Sequence, residues 1–454
     1  MAKSTRTRSG ILEDGMSGLG MVLRFAPRAR GEGVQQLRKS GFHVASSQDF
    51  RSAPAIPNDF DGADVQYFER FGIAIVRRDG ERLRPMLEDA MPRKMVSSAR
   101  PERRYRALGG IGQQHGNPPR FDPAAGMDIP LGQDYLIGFR DGVVGTIDHL
   151  LRGRDRAVPQ LTRSSTFEET ANTWGLQVTR VVQSGLSGAG IKVAVLDTGF
   201  DDEHQDFVGR AVTKKLFATN SSEEDIHGHG THCIGTACGP LRPSSGPRYG
   251  IAYESEIYAG KVLGDDGFGT DRSIIAGMEW ALEQGCHVIS MSLGAATRVG
   301  DAPSEDYEHI GLVCLDAGTI VIAAAGNESA RPGIISPVGS PANASTILAI
   351  GAVDRSLSPA SFSSGGLNPG QEVDIAAPGV DILSSLPGNN YDRWNGTSMA
   401  TPHVSGVAAL LAQSDPAFRG WALWARLIQL AEPLSFPTRD VGKGLLQFRA
   451  GLEA

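Results

Sequence analysis

The 454-residue sequence lacks any apolar run that could cross a bilayer. Stretches such as Thr319–Ala325 and Val404–Ala412 fall far short of the roughly 20 residues a spanning helix needs, so no membrane association is expected. Cysteine is scarce: Cys233, Cys238, Cys286 and Cys314 are too few and too irregularly spaced for a disulfide scaffold or a zinc cluster. Aromatic residues make up only 7% of the chain, and the formal net charge is only -7. With 21% charged and 40% hydrophobic residues, disorder, collagen and coiled coil are excluded as descriptions of the whole chain. The start, Met1–Arg8, is basic, but Glu13 and Asp14 stand where a secretory leader needs its apolar core, so a cytoplasmic product is expected.

The charge is unevenly spread. Residues 1–110 carry 20 Lys+Arg against 13 Asp+Glu, a surplus of +7, which leaves the remainder at -14. A basic front piece beside an acidic body fits an intramolecular pair as well as it fits nucleic acid. The one dense basic stretch, Arg100–Arg106, is short and poor in aromatics, and no nucleic-acid partner is expected.

After a basic tail (1–19), the pattern over 20–106 predicts a small α+β domain in βαββαβ order. Its elements are a strand Met21–Phe25, a helix Gly33–Ser40, a strand Phe42–Ser46, a strand ending near Val76, a helix Glu81–Asp89 and an extended piece Arg93–Ser98. Residues 107–165 have the Gly/Pro composition of a linker, with one candidate helix over Gln133–Arg152. Over 166–454, short β-rich runs alternate with helical patterns: Ile191–Leu196, Ile257–Val262, His287–Ser292, Thr319–Ala325 and Ile347–Val353. That alternation predicts an α/β domain on a largely parallel sheet, in which chemistry collects at the carboxyl ends of the strands.

The polar motifs fall at those ends. Asp197-Thr198-Gly199 follows the run Ile191–Leu196; His227-Gly228-His229-Gly230-Thr231-His232 comes next; Gly396-Thr397-Ser398-Met399-Ala400-Thr401-Pro402-His403 opens an apolar helix. The histidines invite a metal reading, but they lack the intervening Glu and the i,i+4 spacing of the metalloprotease helix. Acyl transfer, in contrast, needs an activated hydroxyl, a base with a pKa near neutrality and a carboxylate that orients the base. All three are present.

These three motifs, in Asp, His, Ser order, resemble the signatures of the subtilisin-like serine protease family over about residues 170–450. The resemblance implies that family's three-layer α/β fold and makes Ser398 the nucleophile, His229 the general base and Asp197 its orienting carboxylate. It also pairs the Asn327 side chain with the Ser398 backbone N–H as oxyanion donors. Ser292-Leu293-Gly294 and Ala324-Ala325-Gly326 resemble the edge strands that wall the primary pocket. Gly339 corresponds to the pocket floor, and Gly267-Phe268-Gly269 to a further strand on the other side of the substrate. Apolar or aromatic P1 residues are the first expectation, with Lys or Arg the alternative through Glu328 at the pocket rim. His229 to Cys233, with Tyr249-Gly250-Ile251-Ala252, looks closest to the proteinase K branch. Cys233, one turn after His229, is either a thiol whose mercuration inhibits the enzyme or an inert buried residue.

Pro240–Arg248 stands where the family's secreted bacterial members carry an Asn-rich loop that binds structural calcium. Asp206 matches one acidic ligand of that site but its partners are missing, so no cofactor is required for catalysis and structural calcium is not predicted. The front domain resembles the family's inhibitory propeptide in element order and position, which implies an intramolecular inhibitor. The expected product is a serine endopeptidase acting on protein or peptide substrates, made as a zymogen that processes itself. An alternative is a dedicated processing or signalling protease that retains its front domain. A third reading, an inactive peptide-binding module, is opposed by the intact Asp197, His229, Ser398 and Asn327.

Overall fold

The computed structural model describes residues 19–47, 63–77, 80–109, 167–219 and 221–449. The expected helix over Gln133–Arg152 lies outside the described residues, as does nearly all of the basic tail.

Five strands, β1 (Met21–Phe25), β2 (Val44–Ser46), β3 (Val65–Phe68), β4 (Ile73–Val76) and β5 (Val96–Pro101), form one sheet in the order β2-β3-β4-β1-β5. Helices α1 (Arg30–Lys39) and α2 (Gly80–Ala90) join them. The sequence pattern predicts four strands. It gives one strand ending near Val76 where there are two, β3 and β4, separated only by a tight turn in which the Gly72 N–H donates to Phe68 O at 2.8 Å, so that Val65 faces Val76 across the hairpin.

Ile-Ala-Ile-Val in β4 is apolar at every position, the pattern of a strand buried on both faces. Ala74 and Val76 join Leu23, Leu37, Leu83 and Leu87 in the front segment's own core. Ile73 and Ile75, one residue out of phase, join Val22, Phe68 and Phe71 in a second cluster. That cluster also contains Ile274, Met278, Tyr307 and Ile310 of helices α4 (Asp271–Glu283) and α5 (Glu305–Asp316). The period of two thus binds the sheet to its own helices on one side and to the larger domain on the other. A last front strand, β6 (Arg104–Ala107), leaves this sheet for the site described below.

The larger domain is built on seven strands: β7 (Lys192–Asp197), β8 (Val212–Leu216), β9 (Glu256–Lys261), β11 (Val288–Met291), β13 (Ile320–Ala324), β14 (Leu348–Val353) and β15 (Ile375–Pro378). Their order is β15-β14-β13-β11-β7-β9-β8, and each neighbouring pair is parallel. Short strands β10 (Phe268–Thr270) and β12 (Leu293–Gly294) flank the cleft, and β16 (Ile382–Leu386) pairs with β17 (Asn390–Trp394). The expected α/β domain on a largely parallel sheet is found. Edge strand β8, Val-Thr-Lys-Lys-Leu, is half-buried and polar, so it carries no apolar run to detect. One face of the sheet is covered by α3 (His229–Cys238) and α6 (Thr397–Ser414), the other by α4 and α5. No helix of the described residues is long and apolar enough to cross a membrane.

Candidate active site

From β7 the sheet is built outward to β9 on one side and to β11 on the other, so β7 lies at a topological switch point, the place where α/β sheets open a crevice. Asp197 is the last residue of β7 and is buried. Its Oδ1 accepts from the Thr198 N–H at 2.8 Å and lies 2.6 Å from His229 Nδ1.

His229 is the first residue of α3. Asp225 anchors that helix start, accepting from Gly228 N–H at 2.9 Å and from Thr231 N–H at 2.8 Å. Gly230 is required by close approach: a Cβ there would sit 2.1 Å from Gly199 O, so any side chain would push the imidazole away from Asp197. Burial opposes a charge on His229, but the Asp197 carboxylate more than offsets it, and the imidazole is held well above its ordinary 6.5. His229 Nε2 has no hydrogen-bond partner among the described residues. The other two histidines of the motif do not converge on it as ligands. His232 Nε2 faces Ile382 O at 3.0 Å with its ring stacked on Trp394, and burial pulls its pKa down to about 3. Burial also lowers His227.

Ser398 is the second residue of α6. Its hydroxyl donates to Ser292 O at 2.9 Å, and Ser292 Oγ in turn donates to Ser398 O at 2.9 Å. Asn327, just beyond β13, accepts at Oδ1 from Thr397 N–H at 2.9 Å and from Thr397 Oγ at 2.8 Å. Two donors on one oxygen fix which way the amide faces. Its Nδ2 therefore points outward, where it donates to the main-chain oxygen of Leu108 at 2.9 Å. The Ser398 N–H donates to that same oxygen at 3.2 Å. Gly396 admits it: a Cβ there would come within 2.5 Å of Leu108 O.

Leu108 directly follows β6, which is antiparallel to β10 on one side and to β12 on the other. Phe268 pairs with Arg106 and Gly269 with Tyr105; Leu293 pairs with Ala107 and Gly294 with Arg106. The Ala107 N–H donates to Gly267 O at 3.0 Å, and the Leu108 N–H to Ser292 O at 3.2 Å. The Leu108 side chain is buried over Gly294, where a Cβ would lie 2.8 Å from Leu108 Cδ1. Ala324 closes β13, the Ala325 carbonyl accepts from the Gly339 N–H at 2.8 Å, and the Gly326 N–H donates to Thr397 Oγ at 3.3 Å. Gly339 also packs against Ala295 O, 2.9 Å from where its Cβ would be, so it ties the two walls together. Phe268 is 39% exposed and has the Arg104 guanidinium 4.2 Å above its ring.

The residues singled out in the sequence thus converge on one cleft. What the motifs did not reveal is its occupant, because Arg104–Leu108 has no signature of its own. Docking is reinforced by buried ions. Arg100 reaches Asp271 at 2.7 Å and Asp306 at 2.7 Å, Arg24 reaches Asp306 at 3.2 Å, and both aspartates are fully buried.

Asp206 does not suit a cation. Its Oδ1 accepts from the Ser244 N–H at 2.7 Å, and its Oδ2 from the hydroxyls of Tyr249 at 2.6 Å and Tyr391 at 3.0 Å. Three protein donors already satisfy the carboxylate, and they would face an incoming calcium ion with hydrogens rather than with lone pairs. Among the described residues, one group of potential ligands lies close enough to share an ion: Asp197, His229 and Cys233, all buried. Cys233 Sγ is 3.8 Å from His229 Nδ1 and 3.6 Å from Ser398 O.

Comparison with known proteins agrees with this chemistry. The model of the Subtilase family matches residues 188–451. Subtilisin BL of Lederbergia lenta is 39% identical over 280 residues, covering 61% of this chain and 97% of that protein. The subtilisin of Bacillus pumilus is 39% identical over 269 residues, covering 59% of this chain and 93% of its own. Subtilisin E of Bacillus subtilis (strain 168) is likewise 39% identical over 269 residues, which cover 59% of this chain and 67% of its own. A carboxylate, an imidazole and a serine at the switch point of a parallel sheet, within a matched segment of this length, lead to one assignment: the chain belongs to the subtilase family and is a serine endopeptidase.

Proposed function

We propose that the chain is a self-processing zymogen in which Ser398 is the nucleophile, His229 the base, Asp197 its orienting carboxylate, and Leu108–Gly109 the bond that is cut. The observation that carries this reading is the Leu108 carbonyl oxygen, which accepts from Asn327 Nδ2 and from the Ser398 N–H at once. Two such donors on a main-chain oxygen beside a serine hydroxyl form the arrangement that stabilises a tetrahedral oxyanion.

In the proposed sequence the Ser398 hydroxyl turns from Ser292 O toward His229 Nε2, gives up its proton there, and attacks the Leu108 carbonyl carbon. The oxyanion that forms is held by Asn327 and the Ser398 N–H. His229, its cation stabilised through Nδ1 by Asp197, delivers the proton to the Gly109 nitrogen as the peptide bond breaks. This leaves Leu108 esterified to Ser398, and water, deprotonated by the same imidazole, hydrolyses the ester. Other substrates would enter as added strands between β10 and β12, read through main-chain hydrogen bonds.

The buried Arg100–Asp271 and Arg100–Asp306 pairs favour a second stage in which the cut front segment stays bound as an inhibitor. That role matches the basic front and acidic body of the sequence. The proximity of Cys233 to His229 supports kinship with the proteinase K branch. Intact mass spectrometry of the wild type beside Ser398→Ala tests the assignment. A new amino terminus at Gly109 is expected in the wild type alone. Cleavage of both proteins at that bond, or a wild type that stays full length, would refute it.

A further inference from the structure

Tyr105 stands three residues before Leu108, at P4 on the reading above, and only 1% of it is exposed. Its hydroxyl donates to Asp271 Oδ1 at 3.0 Å, with Ser340 Oγ at 3.5 Å and the Tyr307 ring edge-on to its own at 6.0 Å. Asp271 is the first residue of α4 and is fully buried. Among the described residues, every hydrogen bond to its carboxylate comes from the front segment. Arg100 donates from Nη1 to Oδ2 at 2.7 Å and from Nη2 to Oδ1 at 3.1 Å. The Arg103 N–H donates to Oδ2 at 2.6 Å, and the Tyr105 hydroxyl supplies the fourth bond.

When β6 leaves, the apolar cluster that held Tyr105 beside this carboxylate, with Ile274, Leu293, Tyr307 and Val338, is left open for a substrate side chain, and the carboxylate loses all four donors. A substrate that fills the subsite with phenylalanine would seal the carboxylate from water without replacing any of them. That is the arrangement a buried anion tolerates least. A tyrosine restores one donor, and an arginine at the same place can present the guanidinium face that Arg100 presents now.

We infer that Asp271 makes the P4 subsite of the freed cleft selective for side chains that end in a hydrogen-bond donor, tyrosine or arginine, over phenylalanine or leucine. Two other carboxylates touch the strand, Asp266 on Arg104 at 3.2 Å and Glu328 on Arg106 at 3.1 Å. In each of those pairs at least one partner is largely exposed, and such pairs discriminate weakly. The selectivity therefore belongs to Asp271.

This inference rests on the endopeptidase reading, and one assay separates the two. The full chain is given acetylated peptides ending in Arg-Xaa-Arg-Ala-Leu and a carboxy-terminal fluorophore, with Xaa as Tyr, Arg, Phe or Leu. Front segment still in the cleft competes with all four alike, so the ratios of kcat/KM are unaffected by it. We expect Tyr and Arg to exceed Phe and Leu by about ten- to a hundredfold, the size of one hydrogen bond to a charged group. Equal rates for Tyr and Phe overturn the inference and leave the protease reading standing; cleavage of none by protein that has gained an amino terminus at Gly109 overturns the premise of a freed cleft and the inference with it, and cleavage of none without that new terminus overturns the reading itself. In Asp271→Ala the Tyr/Phe ratio should fall to near one, and because the wild-type ratio decides the matter alone, a poorly folded variant does not rescue the idea.

Discussion

Ser398 and His229 do not share a hydrogen bond: the serine hydroxyl donates to Ser292 O at 2.9 Å, and His229 Nε2 has no partner among the described residues. The same Ser292 oxygen accepts the Leu108 N–H at 3.2 Å. The hydroxyl therefore rests on the anchor point of the inserted strand, and in the proposed mechanism rotation about its Cα–Cβ bond brings it to the imidazole before attack. Geometry of this kind in a resting site does not disqualify the pair, since catalytic hydrogen bonds tighten in the reacting complex.

The imidazole has to be neutral to accept that proton. With its pKa held above 6.5 by Asp197, activity is lost as pH falls through that raised value, so the acid limb of kcat/KM is expected above pH 6.5. In Asp197→Asn the limb should move down and kcat should fall about 10⁴-fold or somewhat more, near the roughly 3 × 10⁴ known for loss of this carboxylate in subtilisin itself. A pH–rate profile of both proteins decides it; an unmoved limb would mean that Asp197 does not control the charge on His229.

Asn327→Ala should lower kcat about 10²–10³-fold with little change in KM, again the figure known for subtilisin. Asn327→Asp sharpens the test. It keeps an oxygen for the Thr397 donors at 2.9 and 2.8 Å, yet sets an acceptor where Nδ2 now donates to Leu108 O. The Asp variant is therefore expected to be at least as impaired as the Ala variant, whereas recovery of activity would show that Asn327 only braces Thr397.

Removing Arg100 takes a charged partner from two fully buried carboxylates, leaving Asp271 with no cation and Asp306 with Arg24 alone. In the Ser398→Ala background, Arg100→Ala is expected to cost about 3–5 kcal/mol of stability, the range for breaking a buried pair by taking one partner. Arg104→Ala breaks the exposed contact with Asp266 and should cost less than about 1 kcal/mol. Denaturant titration of the two variants gives the comparison, and equal losses would contradict it.

Glu279 of α4 accepts from the Arg70 N–H of the front segment at 2.8 Å, and burial pushes its carboxyl up to about 7 from an ordinary 4.5. A carboxyl raised in the folded state favours folding while protonated, and that advantage is lost as pH rises from about 4.5 through 7. Glu279→Gln keeps the acceptor without the charge. In the Ser398→Ala background it should match its parent near pH 4.5 and exceed it at pH 8 by about 3 kcal/mol, at 1.36 kcal/mol per unit. Comparing the pair cancels the opposite effect of His309, which burial lowers and which contacts Phe71 O at 2.9 Å.

The parts of this architecture legible in the sequence were those written locally. Asp197, His229 and Ser398 stand in motifs whose glycines leave a trace, such as Gly230 against Gly199 O and Gly396 against Leu108 O. Five strands of the parallel sheet, β7, β9, β11, β13 and β14, stand in apolar runs, whereas edge strand β8 is polar and left no such trace. What stayed hidden depends on pairing between distant segments. Tyr105 and Leu108 are ordinary residues until β10 and β12 close around them, and Asp271 looks like a helix-start residue until Arg100 reaches it from another domain. The two buried faces of β4 suit an apolar tetrapeptide, but only α4 and α5 show what the second face is for.

Cys233 gives a last test of the site. Its sulfur lies 3.8 Å from His229 Nδ1 and is fully buried, and burial pushes its thiol up, so it is no nucleophile at neutral pH. A soft cation changes this, because mercury displaces the thiol proton and finds the imidazole and the Asp197 carboxylate within 4.8 Å. Binding there would take Nδ1 from Asp197 and silence His229. Mercuric chloride is therefore expected to inhibit slowly, at a rate set by opening of the buried site, and added thiol should restore activity. Cys238, Cys286 and Cys314 are buried free thiols as well, so the discriminating protein is Cys233→Ala. It should keep its activity and resist the metal; inhibition equal to that of the wild type would place the sensitive thiol elsewhere and leave Cys233 an inert packing residue.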